Sequence, residues 1–491
     1  MFNLGGSPAD SPALSSVTES PSTSLRKSGW ASSALTQSLL ERREQTWQPT
    51  PSHSTDTIRS ASQLERDVWR AALAVCGLGL CLSAAPLALA YSGGWPPPEP
   101  GSRALLSPLG WIGLSCAVLM YGSASVVVRL PSVAEARVHP LVLLAYQACG
   151  VALVCLLPLP LELHRCGWRP RAYAAKKSFA ATALAFHCHN GTIELTNYGF
   201  AAAAAVILAH FFSYHGARRL GAAAMAAVVA AVAAASAFAW GVLYFGEPLR
   251  GGGPTAALAL PLVVFGAVCA GCAPRAAARR GGHQRAGSGG SAGATSGCID
   301  AVGVSPAASP AARIAAPTAA YHDAPAGSPA VGLLCAVVVG LVDGSLMAPY
   351  LQYARVAAAG DAKDVHPLER DFAYLGSVGL GFLALVGLCA LLALLRCLCG
   401  ARPPSLQLRA VGATGLTAGI FWGTAHLGCV QATKYLGMSL GVPLAQAAVV
   451  ISGLWGVAVF EEGRGPAALS VFAAGAAALA VGAALLVLAA A

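Results

Sequence analysis

Residues 240–247 read Trp240-Gly241-Val242-Leu243-Tyr244-Phe245-Gly246-Glu247, and residues 455–462 read Trp455-Gly456-Val457-Ala458-Val459-Phe460-Glu461-Glu462. The two blocks align without a gap, and each closes one apolar run and precedes another. Earlier in each half, Tyr121-Gly122-Ser123 lines up with Asp343-Gly344-Ser345, and Ala145-Tyr146 lines up with Ala373-Tyr374 one run later. Each pair alone is weak evidence in Ala-rich sequence; their shared order is not. The chain reads as two related halves.

Working outward, ten apolar runs lie at 107–129, 139–162, 197–216, 220–246, 254–272, 329–353, 371–396, 409–431, 437–460 and 466–490. Runs of 18 or more apolar residues are long enough to cross a hydrocarbon core of roughly 30 Å. Of 491 residues, 56% are hydrophobic and 11% charged, against about 25% charged in a soluble domain. The expected fold is therefore an all-α, multi-pass membrane protein. The repeat divides it into a first five-helix half, 107–272, and a second, 329–490. Five is odd, so the second copy must sit inverted relative to the first. Inverted repeats of this kind build carriers whose substrate site lies near the midplane between the halves.

Three segments fall outside the halves. Residues 1–62 are rich in Ser, Thr and Pro and read as a disordered tail. The apolar run at 69–91 is an accessory span, set apart by the Pro/Gly stretch from Trp95 to Gly101. Residues 273–328 are a Gly/Ala/Ser-rich flexible loop. Residues 178–196 stay open between a loop, a re-entrant piece and an extra helix. The basic clusters at 165–177 and 275–285 should share one side of the membrane, which needs an even number of spans between them. The repeat gives three, and the repeat is the stronger signal.

The net charge of +10 resides in short segments between apolar runs, as for membrane flanks. No basic stripe with interleaved aromatics appears, so nucleic acid is not an expected partner. Most of the fifteen cysteines lie inside apolar runs, where they serve as small hydrophobes. Cys269 and Cys272 form a lone CxxC, read as helix packing in preference to a zinc or redox site. His187-Cys188-His189 is a weak metal pattern, because alternate histidines point to opposite sides of a helix. Asn190-Gly191-Thr192 is a glycosylation sequon. No nucleophile motif, P-loop or dinucleotide fingerprint is present, so no catalytic residue, metal or cofactor is assigned.

The candidate substrate-binding residues are polar or aromatic groups inside the runs. Asp343 stands out, since a carboxylate in mid-helix costs about 2.5–3.5 kcal/mol on insertion scales and must face a cavity or a partner. Met347 and Tyr350 follow it at helical spacing. Gly122-Ser123 and Gly344-Ser345 either pack helices closely or line a central cavity, and the two readings are compatible. Trp422 and His426 lie one turn apart with Thr424 and Gln431 on the same helix, offering an aromatic platform with hydrogen-bonding neighbours. Gln147 and Gln446 are buried amides, open to either reading, and Tyr121 completes the set. Pro443 should break its helix and free carbonyls, which is tolerable only beside protein or a water-filled cavity.

These residues resemble the drug/metabolite transporter superfamily (EamA-like). Within it they resemble the transmembrane protein 144-like carbohydrate transporters, which are similar to bacterial glucose and ribose uptake permeases. The resemblance rests on Tyr121-Gly122-Ser123 and on Gly344-Ser345 with Pro349. It rests too on the stretch from Gly415 through Phe421-Trp422 and Pro443 to Trp455-Gly456 and Phe460-Glu461-Glu462. It covers about 107–490 and is strongest from 330 onward. It implies a carrier for a sugar, embedded in lipid. The buried-carboxylate reading of Asp343 adds protons as a further partner, with a substrate hydrogen bond or a structural bystander as the alternatives. Self-association into a homo-oligomer stays open. The alternatives are another metabolite, such as a nucleotide sugar, and a membrane scaffold or receptor that transports nothing.

Overall fold

The computed structural model describes residues 51–91, 107–130, 132–133, 136, 139–160, 171–172, 182–188, 191–249, 252–287, 328–359, 367–400, 405–460 and 465–490. Thirteen helices are named here: α1 Pro51–Tyr91, α2 Pro108–Val127, α3 Pro140–Leu156, α4 Asn197–Leu220, α5 Ala222–Ala239, α6 Gly253–Gly287, α7 Pro329–Ser345, α8 Ala348–Ala359, α9 Pro367–Leu398, α10 Ala413–Leu436, α11 Met438–Ala445, α12 Ala448–Ala458 and α13 Pro466–Ala490. A π turn, Trp240–Tyr244, extends α5. Among the described residues nine helices are long and apolar enough to cross a membrane. The protein is an all-α, multi-pass integral membrane protein.

The open segment before α4 is not a helix. Thr182–Cys188 (β2) and Gly191–Thr196 (β3) pair antiparallel, with Phe186 opposite Ile193, and β1, Arg171–Ala172, adds to the outer edge. Alternating Thr, Leu, Phe and Ile suit a pleated ribbon. His189 and the sequon's Asn190 lie outside the described residues, while its Gly191 and Thr192 open β3. Thr196 then caps α4, accepting from the Tyr198 N–H at 3.3 Å while its own N–H donates to Ser377 Oγ at 2.7 Å. Helices α4 and α5 and the apolar part of α6 lie between the two basic clusters; the second cluster lies on α6 itself, which stays helical to Gly287, inside the span 273–328 read as a flexible loop. The tail expected over 1–62 falls mostly outside the described residues, and α1 already begins at Pro51.

Helix pairing is reciprocal between the halves. α10 packs on α2 and α3, and α4 packs on α7 and α9; α12 packs on α2, and α5 on α7; α6 lies along α13. In lipid, apolar burial does not drive association, so close approach and hydrogen bonds decide. Glycines supply the approach. A Cβ on Gly122 would meet Ile451 and the Ala448 carbonyl, and one on Gly344 would meet Ser236 and the Ala233 carbonyl. On α6 and α13, Gly266 and Gly475 each face the other helix's backbone, with Cys269 against Gly475. The CxxC cysteine thus packs a small-residue seam.

Two chain reversals match as well. Gly221 between α4 and α5 has φ 82°, and Gly437 between α10 and α11 has φ 86°. This left-handed backbone suits glycine because it lacks a Cβ. Helix α1 docks on α2: Ala72 packs with Met120, Glu65 accepts from Ser132 Oγ at 2.9 Å, and the Cys116 thiol donates to the Gly79 carbonyl at 3.4 Å.

Candidate functional site

Two helix breaks, at Leu346–Met347 and at Gln446–Ala447, border one cavity. Pro349 has no N–H to return to the end of α7, so the helix breaks at Leu346–Met347, with Leu346 N–H bonding Asp343 O at 3.3 Å. Pro443 does not break its helix as expected: α11 runs through it, losing the one bond that would return to the Ser439 carbonyl, and the chain breaks three residues later at Gln446–Ala447 before α12 begins. There the chain tightens into i→i+3 bonds, Gln446 N–H to Pro443 O at 3.2 Å and Ala447 N–H to Leu444 O at 3.0 Å. Broken helices in a membrane protein are tolerated where they line a cavity.

A cavity of about 170 Å³ lies between the breaks, lined by Tyr121, Asp343, Leu346, Met347, Trp422, Cys429, Val442, Ala445, Gln446 and Ala448. Four of the candidate residues, Tyr121, Asp343, Trp422 and Gln446, meet there from α2, α7, α10 and the α11–α12 break. The lining holds one acid and no Lys or Arg.

The orientation of Trp422 is fixed from all sides. His426 stacks on it at 5.3 Å between centroids and 11° between planes. Tyr121, His210 and Phe382 approach its ring at 5.9, 5.8 and 5.9 Å. Tyr374 stacks on the other face of His426 at 6.1 Å. Both His426 ring nitrogens are buried without a protein partner. His426 therefore backs the tryptophan as a flat surface instead of lining the cavity.

Residues 385–489 match a family model described as Sugar transport protein. No curated protein and no solved structure matches. The matched span runs from within α9 to the end of α13 and includes Trp422, Cys429, Val442, Ala445, Gln446 and Ala448 of the lining.

The remaining candidates sit elsewhere. Ser123 Oγ accepts from the Trp455 indole at 3.0 Å, and Ser345 Oγ accepts from the Trp240 indole at 2.8 Å while donating to Leu341 O at 2.7 Å. These serines join helices. Gln147 Oε1 accepts from the Tyr214 hydroxyl at 3.2 Å. Tyr350 does not share the Asp343 face, because the break after α7 turns it away. Its hydroxyl donates to Asp371 Oδ1 at 2.7 Å, and Lys434 Nζ lies 2.6 Å from Asp371 Oδ2. Asp371, at the start of α9, is 1% exposed. It is a buried acid that sequence reasoning passed over.

Proposed function

We propose that this protein is a secondary carrier that moves a neutral, monosaccharide-sized sugar across its membrane by alternating access between two inverted five-helix halves, 107–272 and 329–490. The observation that carries the reading is the cavity at the paired helix breaks, where the immobilised face of Trp422 meets the polar groups of Tyr121, Asp343 and Gln446. An aromatic face takes the apolar C–H side of a pyranose, while a carboxylate and an amide take its hydroxyls. Such a mostly apolar site with few convergent polar groups is the usual form of a small-molecule site. Similarity to sugar transport proteins over 385–489 supports the same class.

Size and charge separate the candidate substrates. At about 170 Å³, the cavity lies well below the roughly 300–1,000 Å³ that holds drug-sized ligands. A nucleotide sugar carries phosphates, whose charge calls for Arg or Lys counter-charges. The lining offers Asp343 and no basic side chain. A scaffold would not need a polar cavity at the junction of its halves, and an intramembrane enzyme would need paired acids or a histidine cluster around it.

The inverted relation draws support from the reciprocal Trp240–Ser345 and Trp455–Ser123 bonds and the matched glycines at 221 and 437. In this reading α1 is an accessory span, and Asp343 couples protons to sugar movement. Uptake into proteoliposomes from a panel of neutral monosaccharides and nucleotide sugars tests the assignment. Saturable, Trp422-dependent uptake of a neutral sugar is the expected result; uptake confined to nucleotide sugars would overturn it.

A further inference from the structure

Helix α9 changes character along its length. Residues 373–379 are buried, whereas from Leu391 to Gly400 every residue except Ala393 is exposed. The buried end lies beside the hairpin, since the N–H of Thr196, the last residue of β3, donates to Ser377 Oγ. From Ser377 to Cys397 the helix covers roughly 30 Å at 1.5 Å per residue, the thickness of a hydrocarbon core. The far end of α9 therefore emerges at the opposite membrane surface.

That end suits the boundary between lipid and water. Leu394, Leu395 and Leu398 are exposed, and Arg396 stands among them, a residue whose stem lies in the apolar layer while its guanidinium reaches the headgroups. The helix then closes, with the Cys399 N–H on the Leu395 carbonyl at 3.0 Å, the Gly400 N–H on the Cys397 carbonyl at 2.9 Å, and Gly400 at φ 78°. The segment leading to α10 adds exposed Leu406 and Leu408, and the Tyr146 hydroxyl holds it by donating to the Leu406 carbonyl at 3.1 Å. Cys397 and Cys399 sit within this apolar and basic patch, both exposed and both free thiols. Cys81 of α1 is exposed as well, but it lies at mid-span, beside Gly79, whose carbonyl meets Cys116 in the middle of α2.

We propose that Cys397 and Cys399 are S-acylation sites that take long-chain fatty acyl groups from acyl-coenzyme A. Exposed cysteines at the membrane boundary of a helix are where this modification occurs. The cysteine Sγ attacks the thioester carbonyl carbon, and a new S–C bond forms as the bond to the coenzyme A sulfur breaks. The coenzyme A thiol leaves with the proton that the cysteine gives up, and nothing is oxidised or reduced. The attached chains enter lipid beside Leu394 and Leu398 and pin the exposed end of α9 to the bilayer. The sequon Asn190-Gly191-Thr192 belongs to the other surface, because its Gly191 and Thr192 open β3 at the Ser377 end of α9. A glycan there makes that surface lumenal and leaves the cysteines on the cytosolic side, with the acyl-coenzyme A.

Thiol exchange on the full chain made in eukaryotic cells tests this. Free thiols are blocked with N-ethylmaleimide, thioesters are cleaved with neutral hydroxylamine, and the released thiols are tagged with maleimide–polyethylene glycol. The parent should show hydroxylamine-dependent mass tags that the double variant Cys397→Ser/Cys399→Ser loses and Cys81→Ser keeps. The tryptic segment 397–409 holds both cysteines, because Pro403 protects the bond after Arg402. Its mass should show fatty acyl adducts that hydroxylamine removes. An untagged parent, a double variant carrying the parent's tags, equal loss in Cys81→Ser, or a segment 397–409 of unmodified mass overturns the assignment. None of these measurements depends on transport, so the proposal stands or falls apart from the carrier reading.

Discussion

Trp455 and Ser123 stand 332 positions apart in the chain and are joined by one hydrogen bond of 3.0 Å from indole to hydroxyl. Trp240 and Ser345 repeat it at 2.8 Å. Each bond ties the fourth long helix of one half to the first of the other. Such a bond between membrane helices contributes about 0.6 kcal/mol on average and up to roughly 1.7. Double-mutant cycles of Trp455→Phe with Ser123→Ala, and of Trp240→Phe with Ser345→Ala, should each give a coupling energy of about 0.5–1.5 kcal/mol in reversible unfolding from mixed micelles. Coupling in one cycle and none in the other would argue against equivalent roles.

Trp422 is expected to carry sugar affinity. Trp422→Ala should raise KM for uptake roughly tenfold, equivalent to about 1.4 kcal/mol, with a smaller effect on the maximal rate. Trp422→Phe should lose less, since a face remains. His426→Phe should stay close to the parent because it preserves the stacked surface behind Trp422. A large loss in His426→Phe would show that the imidazole itself meets substrate.

Asp343 lines the cavity and is the group we propose for proton coupling. Asp343→Asn keeps the shape and mimics the protonated acid. It should support sugar exchange down a gradient while losing accumulation driven by a pH difference. Normal uphill uptake by the Asn variant would move the coupling role elsewhere.

Glycine packing gives a test of the fold itself. A Cβ on Gly419 would lie 2.0 Å from the Gln147 carbonyl oxygen, whereas one on Gly387 meets nothing within 4 Å. Gly419→Ala should cost about 1–3 kcal/mol through overpacking and lower the melting temperature in detergent. Gly387→Ala should be neutral or stabilise by up to about 1 kcal/mol, the helix-propensity gain. Equal melting temperatures would mean that α3 and α10 do not pack as described.

The membrane helices were legible because each apolar run has only one way to satisfy its backbone in lipid, and the Trp240 and Trp455 blocks fixed how the runs correspond. Gly221 and Gly437 were legible in principle, each standing after a Leu at the same place in its half. The strands at 182–188 and 191–196 were not legible from helical period, which dominates the rest of the chain. The Asn190-Gly191 pair between alternating Phe186, Ile193 and Leu195 is a hairpin signal. Within the site, Asp343, Trp422 and Gln446 followed from the cost of burying polar groups. Asp371 and Lys434 did not, because each sits near a helix end, where a charge is ordinary in sequence and only tertiary packing buries it. Tyr350 was placed by assuming an unbroken helix past Asp343, and Pro349 voids that assumption.

Helix α10 is mostly buried, enclosed by α2 and α3, yet it is not among the nine helices apolar enough to span on their own. Thr414, Thr424, His426, Gln431 and Thr433 are all buried in it. A segment of this kind gains little by leaving the protein-conducting channel for bare lipid. During synthesis, however, α2 and α3 emerge long before it, so a protein groove already waits in the bilayer when α10 arrives. Its entry is then a docking event between nascent helices and not a partition into oil. Substitutions in the α2 groove, such as Gly113→Leu, would therefore be felt first as failed biogenesis of a distant helix.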